Sequence, residues 1–431
     1  MRRAGLGLLG LGTVGSALAR ILSEDRERLA HVAGARLELV AAGNRGVERK
    51  VTALGVERGP TRFTEDLESV VDDPDVGIVV ELLGGLEPAG ALVARALRAG
   101  KSVVTANKLL LAERGSALAA LARAHGAGLG IEASVAGGIP ILRALRESLA
   151  GDALESIGGI LNGTCNFILS GMERTGRPYA EMLADAQRLG FAEADPSADV
   201  LGGDAACKLT LLARMAFGQE VRLADVSREG IAHLQPCDFV YAKTLGRRLK
   251  QLGTCTALED GRLLLGVRTH LVSEDALLAK LDGPFNAVRV RARRAGELVF
   301  TGRGAGGDPT AVAVLSDVLE LARGVRPDVP PFGFPDLAPP RLAGPADFVS
   351  PFALRFVVRD RPGIIAEIAR CLADHEINVD AVVQAPYAEK AALPFVVTVE
   401  PVAEASLLDA LAAMRRLPFH AEEPAAFPMT A

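Results

Sequence analysis

Through the first third of the chain, short apolar runs alternate with segments of helical spacing. Ala4–Leu9 reads as a buried strand and Val14–Leu22 as a helix; Leu37–Ala42, Val76–Leu82 and Ser102–Thr105 read as further strands, the last preceded by a helix over Ala89–Ala99. Strands alternating with helices predict βαβ units and a parallel sheet. From about 130 to 325 the pattern changes to long Ala/Leu-rich helices mixed with short strands such as Leu263–Val267 and Ala287–Val290, an α+β arrangement. Arg326–Pro351 then holds eight of the 24 prolines, and because proline removes backbone donors this stretch reads as a linker. Beyond it the pattern predicts strand Phe352–Val358, helix Gly363–Asp374, strands Ile377–Gln384 and Phe395–Glu400, and helix Ala403–Arg415. A last strand near Pro418–Glu422 would close a small ferredoxin-like unit.

Composition narrows the class. With 431 residues, 49% hydrophobic and 23% charged, the chain fits about three globular domains. A net charge of -5 lends no support to nucleic-acid or membrane-surface binding. Five widely spaced cysteines without a CxxC pair, and six scattered histidines, argue against a disulfide framework and a Cys/His metal site; reduced thiols and a cytoplasmic location are expected. The start has the two arginines, apolar run and Ala17-Leu18-Ala19 of a secretory signal, but Gly5, Gly7, Gly10, Gly12 and Gly15 interrupt it. No uncharged apolar stretch is long enough to predict a membrane span.

Chemistry enters with GLGTVG at Gly10–Gly15, between a strand and a helix. There Gly10 permits a tight turn, Gly12 lets backbone approach a pyrophosphate, Gly15 lets helix pack on strand, and the helix N-terminus at Thr13 and Val14 offers free N–H groups. The second strand ends in Asn44-Arg45 with no carboxylate. Arg45 suits a 2′-phosphate, favouring NADP with NAD as the alternative, although a solvated arginine fits the same residue. Lys108 follows the fourth strand, at the crevice end of such a sheet, where a lysine can polarise a carbonyl or merely face solvent. Asp204 and Lys208, four apart, share a helical face among Leu201, Ala205, Ala206, Leu209, Leu212 and Ala213, where a lysine is costly unless used or paired. The strings Glu132–Ile139 and Asn162–Asn166 each read as a structural turn or as a loop at a substrate or ion site, since backbone carbonyls ligate hard cations. Cys165 has no histidine near it in sequence to make it a nucleophile.

Together these residues carry a resemblance. GLGTVG, VVTANK, ASVAGGIPI, LNGTCNFIL, GFAEADP, GGDAACKL and GRGAGGDPTA occur in the order and spacing of homoserine dehydrogenases, and residues 5–325 resemble that family. The tail from Phe352, with Asp360-Arg361-Pro362-Gly363-Ile364, looks like an ACT domain, a small amino-acid-sensing module. The resemblance implies an α/β protein with a Rossmann-type dinucleotide-binding domain over 1–130 and an α+β catalytic and dimerisation domain over 131–325. A Pro-rich linker over 326–350 and an ACT regulatory domain over 351–431 complete it. It implies NAD(P)-dependent interconversion of L-homoserine and L-aspartate 4-semialdehyde, towards threonine, methionine and isoleucine, in a homodimer or homotetramer.

By resemblance, Lys208 and Lys108 are catalytic lysines, Lys208 being the usual proton donor or acceptor at the substrate hydroxyl. Glu193 and Asp204 bind the substrate's amino end and order water, and Gly190 contributes backbone. Glu132, Val135, Gly137 and Ile139 fall where the family holds a structural Na+, partly through carbonyls, and Gly307 falls near the cofactor. Threonine is the implied effector, with Asp360, Gly363, Ile364 and Asn378 as its candidate contacts. The chain departs from the family in Val312, where serine is frequent, and in Asp308, where an uncharged residue is common. An aspartate-semialdehyde dehydrogenase would need an activated cysteine. A non-catalytic amino-acid-binding regulator would leave Lys108, Glu193, Asp204 and Lys208 without a role.

Overall fold

Six parallel strands form the centre of the N-terminal part: β1 (Arg2–Leu9), β2 (Ala35–Gly43), β3 (Arg62–Thr64), β4 (Ile78–Glu81), β5 (Ser102–Thr105) and β6 (Leu129–Gly130), in the order β3-β2-β1-β4-β5-β6. The computed structural model describes residues 2–54, 60–324, 337–385 and 389–430, so the first part of the expected linker, 326–336, lies outside the described residues. The chain divides into two units, Met1–Leu161 with Ala205–Val226 and Asn286–Pro340, and Asn162–Asp204 with Ser227–Phe285 and Arg341–Ala431.

In the first unit the signal-like apolar start is the sheet's central strand. Leu6, Leu8 and Leu9 of β1 and Val79 and Val80 of β4 are buried, as strands covered on both faces require. The strand order reverses between β1 and β4, and in such sheets ligands bind at the carboxyl ends beside that reversal. Helix α1 (Thr13–Glu24) leaves β1 there and packs against helix Gly307–Arg323. The same unit carries strands Leu154–Ile160, Phe285–Ala292 and Gly296–Arg303. The first two are antiparallel, with Ala287 opposite Ile160.

The second unit is built on a mixed sheet. Antiparallel strands Arg247–Ala257 and Leu263–Ser273 are followed in the sheet by Ala425–Thr430, Val349–Val358, Leu393–Ala403 and Val379–Val383. The last four, with helices Ile364–Asp374 and Glu404–Met414, form the expected ferredoxin-like unit. Its closing strand is not near Pro418–Glu422, as the pattern suggested, but over Ala425–Thr430. Phe419 is buried in the ACT core and His420 makes only an isolated bridge with Val358. The chain then turns, and Ala425–Thr430 pairs antiparallel with one strand (Phe352 opposite Pro428) and parallel with another (Leu271 opposite Met429). A proline inside the strand hides it from a reading of local pattern.

The ACT part is thereby joined to the rest of its unit by more than its linker. One strand belongs to both parts of the sheet. Residues 341–343 bridge to Leu263, and Arg262 forms a two-bonded ion pair with Asp347 at 2.8 and 2.7 Å. Tyr241 Oη donates to the Pro394 carbonyl at 2.7 Å. Asp238 accepts from the Gln235 N–H at the start of helix Pro236–Thr244 and pairs with Arg355 at 3.2 Å. Burial pushes the Asp238 carboxyl up from the usual range, and Arg355 opposes that push. Among the described residues no helix is long and apolar enough to cross a membrane, and all five cysteines are free.

Arg355→Ala leaves the Asp238 carboxylate buried without its guanidinium. Removing one partner of a buried pair costs about 3–5 kcal/mol, so urea unfolding at neutral pH is expected to show a loss of that order. An unchanged midpoint would show that the pair does not hold the two parts of the sheet together.

Candidate active site

The glycines after β1 have three distinct physical roles. Gly10 has φ +103, and a Cβ there would come within 2.6 Å of the Leu82 carbonyl oxygen. A Cβ at Gly15 would come within 2.0 Å of the Gly10 oxygen, so α1 can approach the turn only without one. Gly12, the N-cap of α1, has nothing within 4 Å of its Cβ position, no side-chain cap and no acid in the first helical turn. Open space before uncapped N–H groups suits a pyrophosphate. Asn44 Oδ1 accepts from the Leu11 N–H at 3.0 Å, so its side chain braces the turn, while Arg45 beside it is exposed. Gly307 starts its helix against α1, with its Cβ position 3.0 Å from the Thr13 oxygen. Asp308, the unusual acid, is paired with Arg20 of α1 and so is neutralised locally.

The carboxyl ends of β4 and β5 are tied by a side chain that sequence reasoning missed. Glu81, fully buried, accepts the Leu83 and Gly84 N–H groups at 2.8 and 3.1 Å and the Thr105 hydroxyl at 2.6 Å. Its only sequence signal is a lone acid inside an apolar run. Asn107 caps helix Lys108–Ala124 by accepting from the Leu110 N–H, and donates to the Gly85 carbonyl at 2.6 Å. Lys108, half-buried, is that helix's first residue.

Helix Gly203–Phe217 carries Asp204 and Lys208 one turn apart. Both are 6% exposed, so neither belongs to a solvated surface pair. Lys208 Nζ donates to the Leu161 carbonyl at 2.7 Å. Arg214, further along, donates to the carbonyls of Leu111, Ala112 and Val221 at 2.9, 2.7 and 2.8 Å, clamping this helix to the one that Lys108 begins. Sequence reasoning passed over Arg214 because its partners are distant carbonyls.

In the second unit Asn162 caps helix Gly163–Thr175 through the Cys165 N–H and donates to Asp199 and Asp204 at 2.7 and 2.8 Å. Glu193 and Gly190 are exposed in the loop after helix Tyr179–Arg188, Glu193 with its carbonyl accepting from Gln187. Cys165 is fully buried with its Sγ on the Asp199 carbonyl, an unsuitable place for a nucleophile.

The loop 132–139 of the first unit is buried at Glu132, Val135, Gly137 and Ile139. The Glu132 carboxylate is occupied by the Leu142 and Arg143 N–H groups at 3.0 and 2.8 Å, and burial beside Asp317 pushes its pKa up to about 7. Among the described residues, no hydrogen bond reaches the carbonyls of Val135 or Gly137. The Glu132 carbonyl accepts the Val135 N–H at 3.4 Å and the Ile139 carbonyl the Ile141 N–H at 2.8 Å. Carbonyl oxygens suit a hard cation, and among the described residues no group of three or more His, Cys, Asp or Glu is placed to hold a metal.

In the ACT part a 460 Å³ cavity is lined by Asp360, Gly363, Ile364, Gln384 and Phe395 among others. Asn378 is not in that lining; its amide donates to Glu400 at 3.1 Å.

The chain is similar to known proteins over nearly its whole length. Residues 10–132 match the family model "Homoserine dehydrogenase, NAD binding domain", residues 140–319 the model "Homoserine dehydrogenase", and residues 352–419 the model "ACT domain". A homoserine dehydrogenase of Pseudomonas aeruginosa is 38% identical over 424 residues, covering 97% of this chain and 96% of that one; one from Mycobacterium tuberculosis is 43% identical over 390 residues, covering 88% and 86%. The crystal structure of a homoserine dehydrogenase from Thiobacillus denitrificans superposes with a TM-score of 0.92 at 39% identity, covering 100% of this chain and 99% of that one. A hyperthermophilic archaeal homoserine dehydrogenase in complex with NADPH superposes with a TM-score of 0.63 at 27% identity, covering 74% and 97%.

The glycine geometry separates binding from folding. Gly12→Ala is expected to leave thermal unfolding unchanged and to weaken NADPH binding, followed by nucleotide fluorescence, by about tenfold or more. Gly15→Ala is expected to lower the unfolding temperature as well, because its methyl meets backbone. Equal effects of the two on stability would contradict these roles.

Proposed function

The chain belongs to the homoserine dehydrogenase family, and from that premise we propose how its own residues carry the reaction. It is an NAD(P)-dependent oxidoreductase for L-homoserine and L-aspartate 4-semialdehyde. A nicotinamide cofactor, when bound, would take hydride from the alcohol carbon of homoserine or give it to the aldehyde carbon of the semialdehyde. Lys208 moves the proton at the substrate oxygen, and Lys108 orients the reacting group. The observation that carries this reading is the burial of Lys208 with its Nζ donating to the Leu161 carbonyl, on a helix that Arg214 clamps to the helix of Lys108. A buried, oriented amine is what general acid–base transfer requires. Asp204, held by Asn162, and exposed Glu193 with the Gly190 backbone receive the substrate's amino end.

NADPH is the proposed cofactor: Gly10, Gly12, Thr13, Val14 and Gly15 cradle its pyrophosphate, Gly307 lies beside them, and exposed Arg45 meets the 2′-phosphate, with Asn44 bracing the turn. The archaeal relative solved with NADPH supports this choice. A Na+ ion would be held by the carbonyls of Val135 and Gly137 and by the second lone pairs of the Glu132 and Ile139 carbonyls, which already accept the Val135 and Ile141 N–H groups; it would order that loop. Glu132 would contribute its carbonyl, since its carboxylate is occupied by the N–H groups of Leu142 and Arg143. Threonine is the proposed effector, its carboxylate received at Asp360–Ile364 in the ACT cavity, in a cytoplasmic homodimer or homotetramer.

Lys208→Ala and Lys108→Ala are each expected to lower turnover by about a hundredfold or more with folding retained; near-native turnover in either variant removes that lysine from the mechanism. Gly363 has φ +94, so Gly363→Ala strains the cavity wall. The variant is expected to lose threonine inhibition while keeping turnover. Truncation is a poor test, since it removes a strand shared across the sheet. Equal inhibition of the variant and the parent enzyme would remove the cavity as the threonine site.

A further inference from the structure

Asn286 has no part in the reading above. It lies in strand Phe285–Ala292, is 1% exposed, and sits next to the pair in which Ala287 faces Ile160. Its Nδ2 donates to the Leu161 carbonyl at 2.7 Å, the same oxygen that Lys208 Nζ reaches at 2.7 Å. One backbone oxygen, with two lone pairs, therefore serves both the amide and the lysine.

The slot for this amide is made by a glycine. A Cβ at Gly304 would come within 2.1 Å of Asn286 Cγ. The Gly304 oxygen in turn lies 2.7 Å from the Cβ position of Gly137, and the Gly138 N–H donates to the Arg303 carbonyl at 3.2 Å. A continuous set of contacts thus runs from the loop at Val135–Ile139, through Arg303 and Gly304, to Asn286, Leu161 and Lys208.

We propose that Asn286 is a positioning residue for the reaction, fixing the Leu161 carbonyl so that Lys208 presents its Nζ to the substrate oxygen. The inference rests on the reading of Lys208 as the proton carrier. The second donor matters because it holds the peptide plane whose oxygen Lys208 meets, and so fixes where that oxygen stands. Sub-ångström placement of a proton carrier has a large effect on rate.

The test is homoserine oxidation by the full-length enzyme in H2O and in D2O, with Asn286→Ala, Asn286→Asp and Lys208→Ala made in parallel. Asn286→Ala is expected to lower kcat about ten- to a hundredfold. The NADPH dissociation constant and the homoserine KM should stay unchanged, and the solvent deuterium isotope effect on kcat should rise, because a misplaced carrier slows the proton step until it limits turnover. Asn286→Asp, similar in volume but without the Nδ2 donor, keeps the test open if the alanine variant does not fold, and is expected to show the same split. An unchanged isotope effect in both variants, with or without a fall in kcat, overturns the positioning role so long as Lys208→Ala is inactive. Near-native turnover of Lys208→Ala overturns the reading of Lys208 itself, and the inference with it.

Discussion

The arrangement of the first unit depends on a buried guanidinium. Arg214 is 3% exposed, and burial pushes its pKa down from the ordinary arginine value, yet each of its three nitrogens donates to one of three carbonyls. Two of these belong to the helix that begins at Lys108 and the third to Val221. Those bonds compensate the desolvation of the charge and, being directional, set the spacing of two helices that hydrophobic packing alone would leave free to slide. Lys108 and Lys208 inherit their positions from it.

Charge is buried elsewhere in the unit under the same rule. Asp317 is fully buried, its pKa raised to about 6, and it accepts the Glu132 N–H at 2.9 Å. Arg143 and Arg146 pair with Glu320 at 2.5 and 3.0 Å. The loop's first acid, Glu132, is fixed by the N–H groups of Leu142 and Arg143, while among the described residues no hydrogen bond reaches the carbonyls of Val135 and Gly137.

The second unit shows why its ACT part is not a pendant. Its ACT part contributes Ala425–Thr430 to a sheet continued by Leu263–Ser273, and the Arg355–Asp238 pair and Tyr241 cross the same junction. The ACT part is therefore paired strand to strand with the remainder of its unit rather than tethered to it.

Much of this was legible in the residues themselves. β1, the GLGTVG turn and α1 are a contiguous stretch whose physics is local: an apolar run, glycines where backbone must come close, and a helix start. The apolar surroundings of Lys208 were likewise visible on one helix. Local pattern did not reveal the partners. Pro428 concealed a strand that exists because two neighbours offer it hydrogen bonds, and Asn378 looked available for a ligand until Glu400 claimed its amide. Glu81, Arg214 and Asn286 act on carbonyls, N–H groups and a hydroxyl that lie elsewhere in the chain. Sequence by itself determined which groups were present and which elements they would ride on. Only the tertiary structure decided which backbone atoms they would meet, because a hydrogen bond is set by distance and direction in space and leaves no period in the chain.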